Sequence, residues 1–374
     1  MFDKCERLVV KIGSSLFVDA ATGEFDRAWL AALCEDVASL RARGRQVVIV
    51  SSGAVALGAR ELGLDVGASR LDDKQAAAAT GQILLAHAYQ DLLQRHQVTA
   101  AQVLLTLDDS DSRRRYLNAS RTLRNLLKRG AVPVVNENDT VATEELRYGD
   151  NDRLAARVAQ MITADCLVLL SDVDGLYTRD PQSHPDATHI REVAALTSEH
   201  FDMAGGPGSK HGSGGMRTKL EAARIAIAAG CRMAICNGHV VHPLKALEDG
   251  ARATWFLAAA TPQAARKQWI AGTLGAQGAL IVDAGALRAL RAGRSLLPAG
   301  VCEVVGEFGR GDAVRILTQD GQEIGTGLCT YGAREARLIA GSHTSAIEAA
   351  LGYRGRDEII HRDDMVLNPH GSNE

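Results

Sequence analysis

Much of what this sequence can be is bounded by what it has little of. No eighteen apolar residues run together, and Asp3, Lys4, Glu6 and Arg7 precede the first short apolar run. Neither a membrane span nor a signal peptide is therefore indicated. No C-x-x-C pair links any of the seven cysteines; Cys5, Cys34, Cys166, Cys231, Cys236, Cys302 and Cys329 are odd in number and sit mostly in apolar runs. That argues against a disulfide scaffold or a zinc site and fits a protein of the reducing cytoplasm. Net charge is scarce too: 42 Lys and Arg against 45 Asp and Glu leave −3, so no global field draws nucleic acid or anionic lipid. Neither G-x-x-x-x-G-K-[ST] nor a G-x-G-x-x-G after a strand occurs, which removes the P-loop and the dinucleotide fingerprint. Lysine itself is rare, with eight in the chain.

What is present suffices for two cores. With 374 residues, 46% of them apolar, the chain exceeds one typical domain. From Leu8 to Ile235 short β-branched runs alternate with stretches of helical period, the pattern of an open, mostly parallel sheet sandwiched by helices. Strands are expected at Leu8–Ile12, Gln46–Val50, Val98–Leu105, Ala131–Val135, Cys166–Leu170 and Arg232–Ile235. Leu30, Leu33, Val37 and Leu40 recur at helical spacing, and Gly44 stops that helix. From Ala279 the texture changes to short alternating runs at Leu280–Asp283, Val301–Val305, Ala313–Leu317 and Glu323–Leu328, with Asp320-Gly321 as a hairpin-type turn. The expected division is 1–258 as an α/β domain, 259–274 as a connector or short helix, and 275–374 as a small, mostly β domain. Internal repeats and low-complexity tracts are not evident.

Open parallel sheets bind ligands beyond the carboxyl ends of their strands. There stand Lys11, Gly13, Ser14 and Ser15; Ser51-Ser52-Gly53; Asn136-Glu137-Asn138-Asp139; and Ser171-Asp172-Val173-Asp174-Gly175. One such stretch is ordinary cap and turn chemistry, but four together favour a ligand cleft. The run from Gly205 to Lys219 is glycine-rich and leads into a helical pattern ending at Gly230, which suits a nucleotide phosphate held on free N–H groups. A flexible loop is the competing reading.

Phosphoryl transfer asks for positive charge around the transferring oxygens and for alignment. Lys11 and Lys219 are the two cations expected there, and Asp152 would organise both ammonium groups. Asn136 to Asp139 and Gly149 to Asp152 would bracket the acceptor with amides and carboxylates. No histidine presents itself as a general base, which suits a carboxylate acceptor, ionised at neutral pH with a pKa near ~4.3, better than an alcohol. The cluster Arg113-Arg114-Arg115, Arg121, Arg124, Lys128 and Arg129 is either a solvated or subunit-contact helix face or an anion contact.

Read in order, Val10-Lys11-Ile12-Gly13-Ser14-Ser15, Val50-Ser51-Ser52-Gly53-Ala54, Asn136-Glu137-Asn138-Asp139-Thr140-Val141, Tyr148-Gly149-Asp150-Asn151-Asp152, Ser171 to Thr178 and Gly214-Gly215-Met216-Arg217-Thr218-Lys219 closely resemble the amino acid kinase family. The tail from Ala279 to Met365 resembles a PUA domain. This resemblance implies transfer of the ATP γ-phosphoryl to the γ-carboxylate of L-glutamate, giving L-glutamyl 5-phosphate as the first step of proline synthesis. It implies Mg²⁺ carried mainly by the nucleotide phosphates, with no metal site on the protein, and proline as feedback inhibitor. Lys11, Asp152 and Lys219 would then be catalytic; Ser52, Asp139 and Asn151 would bind glutamate. Lys11, Ser171, Asp172, Ser213, Gly214, Gly215, Met216, Arg217, Thr218 and Lys219 would bind ATP. Ser213 stands where the family pattern has Thr, a change that keeps the hydroxyl. A homo-oligomer and hand-off of the acyl phosphate to glutamyl phosphate reductase are further implications. A kinase of another small carboxylate or of a nucleoside monophosphate is the rival within enzymes. RNA binding through the PUA-like tail is the rival outside them, opposed by charge: residues 273–374 hold ten arginines, no lysine and thirteen acidic residues.

Overall fold

The computed structural model describes residues 2, 5–18, 25–65, 70–142, 151–204, 215–272 and 275–368. They form two compact units, Met1–Pro262 and Gln263–Glu374, taken here one at a time.

In the first unit the chain runs β1 (Arg7–Ile12), α1 (Arg27–Ala42), β2 (Gln46–Ser51), α2 (Ala54–Leu62), α3 (Leu71–Gln94) and β3 (Ala100–Leu105). Then come α4 (Leu107–Asp111), α5 (Arg113–Lys128), β4 (Val132–Glu137), α6 (Asn151–Ile162) and β5 (Cys166–Ser171). The short β6 (Leu176–Tyr177), β7 (His189–Ile190) and β8 (Glu192–Val193) precede α7 (Ser198–Met203), α8 (Met216–Ala228), β9 (Arg232–Asn237), α9 (Pro243–Glu248) and β10 (Ala253–Phe256). Eight strands form one sheet in the order β3-β4-β2-β1-β5-β9-β10-β8. The six from β3 to β9 are parallel. β10 reverses direction against β9, and β8 follows it. All six strands expected from the sequence are present, several reaching one or two residues further toward the carboxyl end. Trp255 and Phe256, close to the expected end of the first domain, belong to β10, which is paired on both sides, with β9 and with the edge strand β8.

Burial explains why the inner strands read as continuous apolar runs: β5 is buried at every position and β1 and β2 at all but the first. Successive residues nevertheless serve different faces. Leu8, Val10 and Ile12 of β1, with Val47 and Ile49 of β2, join a core with Leu30, Leu33 and Val37 of α1 and Leu85, Tyr89 and Leu92 of α3. Lys11 alternates with these, and α6 packs against β1, β2, β4 and β5 while α8 packs on α6 and β9. The same strand end therefore offers its odd and even side chains to two different helix layers.

One helix contact sets the geometry near the site. α2 and α3 meet through Gly58 and Gly81, where an added Cβ would lie 1.8 Å from the carbonyl oxygens of Ala77 and Ala54 respectively. Only glycine permits that approach. Gly53, between Ser52 and α2, takes φ +97°, a second position at which a side chain is strained.

In the second unit α10 (Pro262–Gly272) leads to β11 (Gly278–Val282), α11 (Ala284–Arg291), β12 (Val301–Gly306), β13 (Ala313–Thr318) and β14 (Glu323–Leu328). α12 (Ala333–Ile339), α13 (Ile347–Leu351) and β15 (Met365–Leu367) complete it. The five-stranded sheet has the order β12-β11-β13-β14-β15, parallel at one pairing, β11 with β13. The four strands expected here are present, as is the Asp320-Gly321 turn, with Gly321 at φ +82°. Arg266 of α10 is buried and pairs with buried Asp364 at 2.6 Å.

Candidate active site

The site grows from helix starts placed over strand ends. Asn151 and Asp152 open α6, and Lys219 lies in the first turn of α8. Both helices cover the face to which Lys11 belongs, so three residues separated by more than two hundred positions converge. Asp152 is 0% exposed. Its Oδ1 lies 2.5 Å from the Lys11 ammonium, and its Oδ2 accepts from Lys219 Nζ at 3.1 Å. Burial by itself pushes the Asp152 carboxyl up, but the two ammonium groups and the hydrogen bonds they donate outweigh it and hold the carboxyl below its ordinary value. Two cations and one anion leave the cluster one positive charge in excess, at the mouth of the sheet and in a low-dielectric setting.

On the opposite face the groups that hydrogen-bond to one another are neutral. Asn151 Nδ2 donates to the Ser52 hydroxyl at 2.8 Å, to the Ser51 carbonyl at 2.8 Å and to Asn136 Oδ1 at 3.0 Å. The Ser51 hydroxyl shares a hydrogen bond of 2.9 Å with that of Tyr89. Asp139, in the loop after β4, lines a cavity of about 270 Å³ between α3, β3 and that loop.

Of the residues named from sequence, the structure joins Lys11, Asp152 and Lys219 directly, and Ser52 with Asn151 directly. Asp139 stands on the cavity wall. Ser171 ends β5 beside β1 and donates to Asp172 at 2.9 Å. Gly215 caps α8, and Met216, Arg217 and Thr218 fill its first turn, with the Thr218 hydroxyl donating to the Gly215 carbonyl at 2.7 Å. That turn leaves its leading N–H groups without intrahelical acceptors. Ser213 and Gly214 lie outside the described residues, as do Tyr148, Gly149 and Asp150. The basic cluster lies on α5, where Arg124 donates to the Met161 carbonyl and Arg115 pairs with Asp109 at 3.6 Å. Among the described residues, no three His, Cys, Asp or Glu side chains are grouped to hold a metal, and no helix is long and apolar enough to cross a membrane.

Two participants escaped the sequence reading. Gln82, on Ala-rich α3, accepts from Asn136 Nδ2 at 2.7 Å. Asp36 is buried on α1 and accepts from His242 at 2.9 Å and from the main-chain N–H of Leu244 at 2.9 Å, tying the α9 turn to α1. A polar residue at a core position of a helical pattern was the available signal for both.

Comparison with known proteins agrees with this geometry. The family model described as "Amino acid kinase family" matches residues 6–237, and that of the PUA domain matches 278–351. The chain is 62% identical over 362 residues to a glutamate 5-kinase of Paramagnetospirillum magneticum, covering 97% of this chain and 98% of that one. It is 58% identical over 360 residues to a glutamate 5-kinase of Rhodospirillum rubrum, covering 96% of each. A third, from Agrobacterium fabrum, is 56% identical over 361 residues, covering 96% of this chain and 92% of that one. A buried lysine–aspartate–lysine cluster at the strand ends, an amide–hydroxyl pair beside it and relatives matched over nearly their whole length lead to one conclusion: the chain belongs to the amino acid kinase family, among its glutamate 5-kinases, and carries a PUA domain.

Proposed function

We propose that the first unit transfers the γ-phosphoryl of ATP to the γ-carboxylate of L-glutamate, giving L-glutamyl 5-phosphate for proline synthesis. The observation that carries this reading is Asp152 buried between Lys11 and Lys219, directly beside Asn151 and Ser52. Both ammonium groups are fixed by the Asp152 carboxylate at the strand end, where their charge would face the phosphoryl oxygens. Charge that builds on those oxygens meets cations already oriented, which is where electrostatic catalysis gains most. The start of α8 and Ser171 would receive the nucleotide phosphates. Magnesium, brought by the nucleotide, would neutralise phosphate charge; the described residues offer no acidic nest that would hold it alone.

The acceptor would lie over Ser52, Asn151 and Asp139. Because the Ser52 oxygen already accepts from Asn151, its own proton is left to donate to a substrate carboxylate. Asn151 Oδ1 and the Asp139 carboxylate would receive the ammonium. A carboxylate nucleophile arrives ionised, so the site needs no base.

Trapping the acyl phosphate with hydroxylamine tests the assignment. ATP-dependent hydroxamate is expected with L-glutamate and not with N-acetylglutamate, aspartate or carbamate; turnover with one of those alone would sink it. Proline is proposed as an inhibitor of this reaction, read out in the same assay, and the functional form as a cytoplasmic homo-oligomer passing its product to glutamyl phosphate reductase. The PUA domain, with its acidic excess, would serve regulation or assembly and not RNA. Salt-sensitive micromolar binding of structured RNA by the full chain would reverse that last statement.

A further inference from the structure

A chain of amides leads from the proposed acceptor residues into the α3 layer. Asn151 donates to the Ser51 carbonyl and to Asn136 Oδ1. Asn136 Oδ1 also accepts the main-chain N–H of Glu137 at 2.9 Å, and Asn136 Nδ2 donates to Gln82 Oε1 at 2.7 Å. Two of these partners have one sense only: a carbonyl can only accept, and a main-chain N–H can only donate. Neither asparagine can turn over without losing a bond, so the direction of the whole chain is fixed. Gln82 must present its oxygen to Asn136.

That choice has a cost. Gln82 is 9% exposed, its Nε2 is buried, and among the described residues nothing accepts from it. Gln82 also lines the cavity of about 270 Å³, between apolar Ala78, Ala79 and Leu104 and polar Gln102, Glu137 and Asp139. A side chain retained for packing alone would be apolar here and avoid an idle buried donor. We infer that Gln82 is a positioning residue for the acceptor. By holding Asn136 it holds the Asn151 amide, and through Asn151 the Ser52 hydroxyl, in the one orientation that receives a carboxylate and an ammonium. The inference rests on the reading of Asn151 and Ser52 as acceptor ligands.

The test uses the full chain with Gln82→Met, Gln82→Glu and, alongside, Asn151→Ala, each measured for initial rates with glutamate and ATP varied separately and for thermal unfolding. Losing one hydrogen bond from the chain is expected to raise the glutamate KM of Gln82→Met about tenfold. Its kcat, ATP KM and unfolding temperature should stay near those of the parent. Gln82→Glu keeps an oxygen for Asn136 and is expected to recover most of the lost acceptor affinity. An unchanged glutamate KM in Gln82→Met, with Asn151→Ala impaired, overturns the positioning role and leaves the acceptor reading standing. Parallel rises in both KM values with a lowered unfolding temperature, or a Gln82→Glu no better than Gln82→Met, would also overturn it. If Asn151→Ala too leaves glutamate KM unchanged, the acceptor reading itself fails with it.

Discussion

At its carboxyl edge the central sheet shows two kinds of polar chemistry on its two faces. Toward α6 and α8 the groups are ions: Lys11, Asp152 and Lys219, all buried. Toward α3 the hydrogen-bonded chain is neutral: Ser51, Tyr89, Asn136 and Gln82, with Asn151 reaching across from the start of α6 and the Asp139 carboxylate apart on the cavity wall. Under the proposed function, the difference follows from what each face would meet. A transferring phosphoryl group gathers negative charge during the reaction, so fixed cations stabilise its transition state more than its ground state. The proposed amino-acid acceptor brings its charges with it, and what it would need is direction, which amides with a forced sense supply without the desolvation cost of more buried ions.

The comparison can be broken most forcefully at Lys219. Lys219→Ala should lower kcat roughly a thousandfold, the scale of losing one preorganised charge contact, with little change in glutamate KM. Unchanged hydroxamate formation would remove the ionic face from the mechanism. Asp152→Asn strikes the same face through stability, because it leaves two buried ammonium groups without their counter-ion; a loss of ~3 kcal/mol in denaturant unfolding is expected near neutrality. The pH dependence has a definite sign. A carboxyl whose folded value is depressed stabilises the fold above its ordinary pKa, so the difference between parent and Asp152→Asn should be full above 3.8 and shrink as pH falls through the depressed value. A difference independent of pH would contradict the ion-pair account.

Gly81→Ala tests the frame of the neutral face. Its Cβ meets main-chain atoms, which cannot rotate away, so about 2 kcal/mol of stability should be lost despite alanine's better helix propensity. Ser52→Ala is the mildest change: glutamate KM should rise about tenfold while ATP KM holds. A rise in ATP KM instead would mean that the two faces are not separable in function.

The strands were legible because burial on both faces makes them continuous β-branched runs, and the cations were legible because Lys11 and Lys219 stand beside glycines at strand and helix ends. What stayed hidden has a physical reason in each case. The reversed β10 escaped because alternation marks a strand and not its direction, and the partner that sets the direction is β9. Gln82 escaped because α3 is rich in alanine there, so its helical pattern has too little contrast to flag a polar residue facing inward. Asp36 was masked by its regular apolar neighbours Leu33 and Val37; its role depends on His242 and the α9 amides, some two hundred residues away. Burial pushes its carboxyl up.

The meeting of Gly58 and Gly81 brings main chain against main chain, a contact with no rotamers to sample. Ser52 precedes one of these helices and Gln82 rides on the other, one residue beyond the crossing. The spacing between the Ser52 hydroxyl, proposed to face the acceptor, and the glutamine at the far end of its amide chain is thus set by two peptide backbones. Exchanging side chains around the pocket would leave that length as it is, because the contact that sets it contains no side chain.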